Sequence, residues 1–333
     1  MLRILVTCCL GAYLKGTLDC LRKEEDLYIV GTDVMQMYHN RNGIDKFYRV
    51  PRCDDPGYID VILDICKKEH IDLVMPFYTG ELELFLYCEG FFERIGTKVH
   101  VTRGALHIAN DKKLWGNCFD FHGLPTARSK VVETYDQLVS FVNEDPESTY
   151  CLKQGKGCGG RGFRIIGEEP YDIKARPTGV YVTLEDTAKL FEGSETYLVQ
   201  KYLTGKEYGV DVLCVDGKVV CGIERYNESV VEGVNIDAEI IEKDDIYDMC
   251  VEVCRLLNLD GNVGFDVKKD EHGNPFIIDI NPRYTATISL SAHAGLNLAY
   301  YGLQHSIGRK LPEVFPEERI GARIERRLAD YFS

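Results

Sequence analysis

Two acidic residues, Asp266 and Asp279, interrupt apolar strand-like runs near the C-terminal end of the chain. Turn-forming residues 270–274 separate the two runs, which predicts a β-hairpin centred near residue 272 or 273. In such a hairpin the two aspartates are cross-strand neighbours, and Asn281 points to the same face as Asp279. Two carboxylates and an amide oxygen are hard ligands that suit Mg²⁺ together with substrate phosphates. The alternative is a solvated acidic strand face, but unpaired charge in an apolar strand is costly, so we predict a metal site.

Positive charge and glycine appear where a phosphate could bind. Arg283 follows the acidic hairpin, and it is either a surface arginine or a fork that grips phosphate or developing transition-state charge. Lys153 lies in an apolar strand directly before residues 154–162, which contain five glycines. Glycines leave backbone N–H groups unobstructed, so the loop is either a flexible surface loop or, as we predict, a cover for phosphates.

Composition limits the class of protein. The chain has 333 residues, of which 45% are hydrophobic, and a formal net charge of −14. We expect two or three domains with substantial cores, and no nucleic-acid or anionic-membrane partner, since such partners require a basic face. No run approaches the roughly 18 apolar residues of a membrane span. The apolar run Ile4–Leu14 superficially resembles a signal peptide, but a buried first strand is the interpretation that we prefer. The protein is expected to be soluble and cytoplasmic, with its thirteen cysteines mostly buried free thiols.

Residues 1–102 alternate strand-like and helix-like segments. The strand runs include Leu2–Thr7, Leu27–Gly31 and Asp72–Pro76, a pattern typical of a parallel sheet covered on both faces. Asp33 after the second strand suits a dinucleotide site, but the first loop has only Gly11 and Gly16 and lacks the full glycine fingerprint. A nicotinamide-dependent dehydrogenase is therefore a weaker alternative.

The remainder of the chain has a different order of elements. A helix is predicted over Asp111–His122, followed by a strand, the glycine loop and a second strand. This order differs from Rossmann and Walker arrangements, in which a helix follows the glycines. From Tyr197 onward, strands that end near Glu224, a helix over Asp244–Leu257 and the acidic hairpin indicate an antiparallel sheet.

Taken together, these motifs resemble the ATP-grasp superfamily. The resemblance is carried by Asp111–Lys113, by Lys153 with its glycine loop, by residues 200–207 and by residues 266–283, in that order along the chain. It is nearest to the ATP-binding unit of carbamoyl-phosphate synthase large subunit and to biotin carboxylase-like carboxylate–amine ligases. It implies an α/β and α+β architecture in three parts. These are a Rossmann-like parallel-sheet pre-ATP-grasp domain (1–104), an ATP-grasp N-terminal part with a glycine-rich lid (105–198) and a C-terminal antiparallel-sheet part with the metal site (199–333).

The resemblance also implies roles for individual residues. Phosphates would be contacted by Lys112 and the catalytic Lys153, under a lid that includes Gly157, Gly159 and Gly160. Adenine would be bound by Gln200, Lys201 and Tyr202, and the ribose by Glu207. One or two Mg²⁺ ions, with Mn²⁺ as the alternative, would be held by Asp266, Asp279 and Asn281. The catalytic Arg283 would stabilise the transferring phosphoryl group, with a lesser role for Arg225. The sequence departs from the family pattern at Asp279, where glutamate is usual, and at Gln200, where glutamate is common.

The implied activity is an ATP-dependent ligase that activates a small-molecule carboxylate as an acyl phosphate for attack by an amine. ATP and Mg²⁺ are the expected cofactors, and a homodimer is expected from the resemblance alone. Alternatives are an ATP-grasp small-molecule kinase and a catalytically silent ATP sensor. Substrate pockets are expected at Thr79–Glu81 and Tyr284–Ser291, where Thr285, Thr287 and Ser289 either bind an anion at a helix N-terminus or only cap that helix.

Overall fold

The computed structural model describes residues 1–40, 42–154, 162–168, 180–193, 195–231 and 234–327. Three β-sheets follow one another along these ranges, and we call them the front, middle and C-terminal sheets. No helix within the described ranges is long and apolar enough to span a membrane.

The front sheet has five parallel strands in the order β3-β2-β1-β4-β5. Its elements are β1 (Leu2–Val6), α1 (Leu14–Arg22), β2 (Leu27–Asp33), β3 (Lys46–Arg49), α2 (Tyr58–Glu69), β4 (Leu73–Met75), α3 (Leu82–Glu93) and β5 (Lys98–Val99). The central strands are continuous apolar runs because helices cover both faces of the sheet. The predicted parallel sheet is confirmed. Helix α3 was not predicted, since its sequence is apolar on nearly every side and lacks an amphipathic stripe.

Two helices lead into the middle sheet, α4 (Leu106–Ala109) and α5 (Lys112–His122). The side chain of Asp111 caps α5 by accepting a hydrogen bond from the N–H of Lys113, at 2.9 Å. The middle sheet is formed by β6 (Ser129–Val132), β7 (Tyr150–Gln154), β8 (Arg164–Ile166), β9 (Val180–Val182) and β10 (Tyr197–Lys201), with α6 (Tyr135–Asn143) packed against it. Its order is β6-β10-β7-β8-β9, and the β8–β9 pair is parallel.

The C-terminal sheet has six antiparallel strands in the order β15-β14-β11-β12-β13-β16. They are β11 (Glu207–Val215), β12 (Lys218–Val231), β13 (Val234–Ile241), β14 (Gly261–Lys269), β15 (Pro275–Asn281) and β16 (Arg323–Glu325). Helix α7 (Asp245–Leu256) covers one face, and α8 (Ser289–His293) and α9 (Leu298–Ser306) follow β15. The predicted antiparallel sheet is confirmed.

The sequence-based end of β12 at Glu224 is wrong, and β13 was not predicted. The strand continues to Val231 through the polar residues Arg225 and Asn227. These polar side chains are buried because they hydrogen-bond to one another, a partnership that local hydrophobicity does not indicate.

The front sheet and the C-terminal part of the chain share one core. Apolar residues of α1 and β1 pack with those of α8 and α9, including Leu18, Leu290 and Leu303, which are at most 1% exposed. On the same interface His100 stacks on the ring of Tyr284, with 4.4 Å between centroids. Burial of this interface fixes the loops of the front sheet against those of the C-terminal sheet.

The twelve cysteines in the described ranges are all free thiols, and eight of them are buried. Burial raises the pKa of the Cys9 and Cys66 thiols to about 12, so that they remain protonated. These cysteines behave as small hydrophobic residues, as the sequence predicts.

Glu224 lies fully buried beneath α7. One carboxylate oxygen accepts a hydrogen bond from the backbone N–H of Asp244, the residue that caps α7, at 3.0 Å. Among the residues that the structure describes, none hydrogen-bonds to the other oxygen, Oε1. Burial raises the pKa of Glu224 to about 7, because the charged carboxylate loses its water.

We expect Glu224→Gln to flatten the dependence of stability on pH. An unfolded glutamate ionises near pH 4.5, whereas the folded Glu224 ionises near 7, so its neutral form stabilises the fold at low pH and that stability is lost as the pH rises from 4.5 through 7. Between pH 5 and pH 8, urea denaturation should show a loss in the wild type that is larger than in Glu224→Gln, by roughly 1–3 kcal/mol. Glu252→Gln, at a half-exposed position on α7, is the control, and an equal loss in all three proteins would contradict the assignment.

Candidate nucleotide and metal site

The two predicted aspartates lie opposite one another in the C-terminal sheet. Asp266 on β14 pairs with Asp279 on β15, and a β-bulge follows directly after Asp266. Asn281 faces the same side, since its Nδ2 donates a hydrogen bond to Oδ2 of Asp266 at 3.2 Å. The predicted cross-strand cluster is therefore present, with one amide beside two carboxylates.

Lys112, the first residue of α5, reaches across to this cluster. Its Nζ lies 2.6 Å from Oδ1 of Asp279, and the two side chains are 15% and 28% exposed. The contact joins residues 167 positions apart in the chain. Lys112 thus supplies Asp279 with a partly buried counterion.

Arg225 lies beside the aspartates on the inner strands of the sheet. In register, Asp266 faces Gly209, and Gly209 faces Arg225. A Cβ atom at position 209 would lie 1.8 Å from Nη1 of Arg225, so only glycine leaves room for this guanidinium. Arg225 is 1% exposed, which makes it one of the largest fully buried side chains.

The buried guanidinium of Arg225 is satisfied by side chains on its own and the neighbouring strands. Its Nε donates to Oδ2 of Asp211 at 3.1 Å, and its Nη1 donates to Oδ1 of Asn227. Its Nη2 lies 3.9 Å from Oδ1 of Asp266. Arg225 therefore balances two carboxylates, a larger structural part than the assisting role expected from the sequence.

Asp266 is a carboxylate in an unfavourable place for negative charge. Burial raises its pKa to about 7, and the charges of Glu207, Asp279 and Asp211 act in the same direction, while Arg225 opposes them. A divalent cation relieves such a cluster, and aspartate and asparagine oxygens are the hard donors that Mg²⁺ prefers. Among the described residues no group of three or more His, Cys, Asp or Glu forms a complete metal cage. The residues present therefore fit an ion that takes its remaining ligands from phosphate and water.

Lys153 extends from β7 toward β15, the strand that carries Asp279. Its Nζ donates to Oε1 of Gln200 on β10 at 2.6 Å and to the backbone oxygen of Ile278 at 3.3 Å. Burial lowers the pKa of Lys153, and the positive charge of Lys112 lowers it further. Within the described ranges no carboxylate forms an ion pair with this ammonium. Its positive charge is therefore not neutralised by a protein anion.

The other residues expected at the nucleotide lie along the same edge. The side chain of Gln200 is buried and is held by Lys153, while Lys201 pairs with Glu271 at 3.5 Å. Lys268, which the sequence interpretation missed, links the remaining two: its Nζ lies 5.3 Å from the ring centre of Tyr202 and 3.8 Å from Oε2 of Glu207. Gly157, Gly159 and Gly160 fall outside the described residues.

Arg283 connects the C-terminal sheet to the front sheet. Its Nη2 donates to Oδ1 of Asn281 at 3.1 Å, and its Nη1 donates to the backbone oxygen of Tyr284. Its Nε donates at 2.9 Å to Oγ1 of Thr79, which begins a short 3-10 helix (Thr79–Glu81) after β4. The front sheet therefore helps to orient an arginine that contacts Asn281 of the acidic cluster.

Glu81, which the sequence interpretation assigned to a substrate pocket, is tied into the front sheet. It is 4% exposed and accepts hydrogen bonds from Thr7 at 2.6 Å and from the hydroxyl of Tyr58 at 2.7 Å. Burial raises its pKa to about 7. Both carboxylate oxygens are used internally, so its evident part is to shape the loop that holds Thr79.

The stretch after Arg283 differs from the expected helix cap. The N-cap of α8 is Ile288, so the prediction that Thr285, Thr287 or Ser289 caps this helix is wrong. Thr285 instead donates to Oδ1 of Asp211 at 2.7 Å, and Thr287 accepts from Nδ2 of Asn235 at 3.3 Å. Thr285 thus shares its partner Asp211 with Arg225.

The front sheet does not present a free acid for a dinucleotide. Oδ2 of Asp33 accepts a hydrogen bond from the N–H of Leu10 at 3.1 Å, and Oδ1 accepts one from the N–H of Met35 at 3.0 Å. Both oxygens therefore stabilise loops of the sheet itself.

Comparison with known proteins agrees with this geometry. Residues 193–327 match a family model described as ATP-grasp in the biosynthetic pathway with Ter operon. The chain has an ATP-grasp fold. Residues 7–100 match a second family model, described as PylC-like, N-terminal domain.

Solved structures share this ATP-grasp fold at low sequence identity. N5-carboxyaminoimidazole synthetase from Staphylococcus aureus has a TM-score of 0.68 and 16% identity, covering 95% of this chain and 79% of its own, and is also known with ADP. The biotin carboxylase domain dimer of Hydrogenobacter thermophilus 2-oxoglutarate carboxylase, in complex with MgADP, ADP and bicarbonate, has a TM-score of 0.69 and 16% identity, covering 96% and 73%. L-amino acid ligase from Bacillus licheniformis has a TM-score of 0.64 and 13% identity, covering 92% and 74%.

We expect Arg225→Met to destabilise the protein strongly. The change leaves Asp211 buried without a cation, and breaking a buried ion pair in this way costs about 3–5 kcal/mol. Urea denaturation should show this loss in the free energy of unfolding. The matched control is Arg255→Met on α7, whose exposed pair with Glu252 contributes less than about 1 kcal/mol. Equal stability of the two variants would contradict the role given to Arg225.

Proposed function

We propose that this protein is an ATP-dependent ligase that joins a small-molecule carboxylate to an amine. The observation that carries the proposal is the placement of three cations around the paired Asp266 and Asp279. Lys112 contacts Asp279 itself, Lys153 contacts the backbone oxygen of the preceding Ile278, and Arg283 contacts Asn281. Three cations beside two carboxylates suit a metal–triphosphate complex. The carboxylates would bind the metal ion, and the side-chain cations would bind the phosphates. The nucleotide is ATP, and the ion is Mg²⁺, with Mn²⁺ as the alternative.

The carboxylates of Asp266 and Asp279, with the amide of Asn281, would hold the metal ion. When bound, Mg²⁺ neutralises phosphate charge and orients the phosphates. Asp279 is one methylene shorter than the glutamate that is usual in the family, and the ion pair with Lys112 holds it in place. When the nucleotide binds, the ammonium of Lys112 would exchange its contact with Asp279 for a contact with a phosphate oxygen.

Lys153 would bind the α- and β-phosphates. Its ammonium is held by two neutral oxygens, those of Gln200 and Ile278, so its positive charge is available to an anion. Backbone N–H groups of Gly157, Gly159 and Gly160 would cover the phosphates and exclude water, which would otherwise destroy a reactive acyl phosphate.

The nucleoside would lie along the end of β10. Gln200, Lys201 and Tyr202 would bind adenine, largely through backbone groups, and Glu207 would accept hydrogen bonds from the ribose hydroxyls. Lys268 supports this edge by holding Glu207 and contacting the face of Tyr202. The side chain of Gln200 is engaged with Lys153, so it positions the lysine and does not itself read the base.

Arg283 would stabilise the transferring phosphoryl group. An oxygen of the carboxylate substrate attacks the γ-phosphorus, the bond to the β-phosphate oxygen breaks, and ADP leaves. The amine then attacks the acyl carbon, inorganic phosphate leaves, and the nitrogen loses a proton to give an amide. Hydrogen bonds from Arg283 to Thr79 and Asn281 fix the guanidinium plane before the reaction, so little reorganisation is needed in the transition state.

Two further properties belong to the same proposal. A homodimer is the expected assembly, and a structural neighbour is described as a domain dimer. The cytoplasm is the expected location, where ATP and reduced thiols are both present. Size-exclusion chromatography with light scattering tests the assembly directly.

We expect Asp279→Asn to abolish most ADP formation while the fold is retained. The variant keeps the shape of the side chain but removes a charge from the metal site and the partner of Lys112, so turnover should fall at least about 100-fold. The melting temperature should change by less than about 4 °C, since the pair is partly exposed. The exposed Asp248→Asn on α7 is the control.

The chemical outcome is tested with hydroxylamine and a panel of carboxylates. Trapping of the acyl phosphate as a hydroxamate, together with ADP release, is the expected result. ADP with a stable phosphoester and no hydroxamate would favour the kinase alternative. Unchanged turnover in Asp279→Asn would remove the basis of both.

A further inference from the structure

Glu207, the residue expected at the ribose, is held from both neighbouring strands. In register it lies on β11 between Asn227 of β12 and Lys268 of β14. Nδ2 of Asn227 donates to Oε1 of Glu207 at 3.3 Å, and Nζ of Lys268 lies 3.8 Å from Oε2. Each carboxylate oxygen therefore has its own partner, on opposite sides of the strand, and these partners restrict the orientation of the carboxylate.

The carboxylate of Glu207 can accept further hydrogen bonds. Its side chain is 18% exposed, so it reaches the surface of the site. A carboxylate has about four lone-pair positions, two on each oxygen. The contacts with Asn227 and Lys268 use one position on each oxygen. The adjacent hydroxyl donors of a ribose suit the positions that remain.

The buried side-chain amide of Asn227 connects Glu207 to Arg225. Asn227 is 4% exposed, its Oδ1 accepts a hydrogen bond from Nη1 of Arg225, and its Nδ2 donates to Glu207. A guanidinium can only donate and an ionised carboxylate can only accept, so a side chain between them must offer an acceptor on one side and a donor on the other. An amide does this, whereas aspartate lacks the donor and leucine lacks both groups.

Arg225 gives this arrangement a rigid anchor. Its guanidinium is 1% exposed, and its Nε donates to Oδ2 of Asp211 at 3.1 Å. Asn227 is fixed by Arg225, so the orientation of Glu207 depends on a network inside the sheet. The sequence interpretation assigned no role to Asn227, because this network forms only through strand pairing.

We propose that Asn227 is a positioning residue for the nucleotide sugar, and that it acts, together with Lys268, by holding Glu207 in the orientation that accepts the ribose hydroxyls. A carboxylate that is ordered before binding loses less conformational freedom when the hydroxyls bind. A site built to bind hydroxyls also discriminates strongly against an analogue that lacks them. This assignment rests on the proposed ligase, for which it identifies the residues that select the sugar of the nucleotide.

Calorimetry of nucleotide binding to the full chain, with Mg²⁺ present, tests this role. We expect the wild type to bind ADP about tenfold or more tightly than 2′,3′-dideoxy-ADP, because hydroxyls that donate to a carboxylate form strong hydrogen bonds. In Asn227→Leu this preference should fall to about twofold or less, since Glu207 is no longer held toward the sugar. The affinity for inorganic tripolyphosphate, which has no sugar, should stay unchanged, a result that a general loss of structure would not give.

Lys268→Met tests the other side of Glu207 independently. Methionine keeps a contact with the ring of Tyr202 but removes the ammonium, so the preference for ADP should fall about threefold or more. This variant also decides the proposal if Asn227→Leu does not fold. Asn227→Gln keeps both the donor and the acceptor, and it should recover part of the preference that Asn227→Leu loses.

Asn117→Leu, at an exposed position of α5, is the matched control and should keep the preference of the wild type. The proposal is overturned if the wild type does not distinguish the two nucleotides, or if either Asn227→Leu or Lys268→Met keeps the full preference. It is also overturned if Asn227→Leu weakens ADP, dideoxy-ADP and tripolyphosphate equally.

The ligase and the sugar selection fail in distinguishable ways. Hydroxamate formation with an unchanged preference in the variants would leave the ligase standing without this role for Asn227. Loss of the preference in the variants, with no hydroxamate formed by the wild type, would overturn the ligase and leave the role standing. A wild type that binds neither nucleotide would overturn both.

Discussion

The mutual repulsion of Asp266 and Asp279 is the constraint on which the rest of the site depends. Two carboxylates on neighbouring strands, partly withdrawn from water, are unstable unless positive charge is supplied close by. Arg225 supplies it from within the sheet and Lys112 from α5. Arg225 fits between the strands only because residue 209 on β11 is glycine. The identity of this residue is therefore set by the need to place a cation beside Asp266. The sheet therefore serves as a scaffold that holds like charges together.

Each part of the chain contributes to this scaffold. Lys112 comes from the helix between the front and middle sheets, Lys153 from the middle sheet, and Thr79 from the front sheet through its hydrogen bond to Arg283. The shared core beneath α8 and α9 holds the front sheet against the C-terminal sheet. A small displacement of the front sheet would change the orientation of Arg283, because the hydroxyl of Thr79 hydrogen-bonds to its guanidinium.

The parts of the structure that could be predicted from sequence are those with a local cause. The pairing of Asp266 with Asp279 follows from a short turn between two apolar strands, and the cap at Asp111 follows from residue type. The network around Arg225 could not be predicted, since its partners meet only through strand pairing, and the long polar strand β12 appeared to end where that network begins. The contact between Thr79 and Arg283 spans 204 positions and leaves no local pattern. Helix α3 was not predicted, because a helix that is apolar on nearly every side has no helical periodicity in its hydrophobic residues.

The contact between Lys112 and Asp279 has a consequence for the order of ligand binding. The protein carries its own counterion, so a metal ion that approaches Asp279 must compete with an ammonium already in place. For the proposed ligase, a triphosphate offers that ammonium another anion and so releases the carboxylate. Nucleotide and metal then increase one another's affinity, by the same factor in each direction. Lys112 thereby disfavours the binding of a metal ion to Asp279 when no nucleotide is bound.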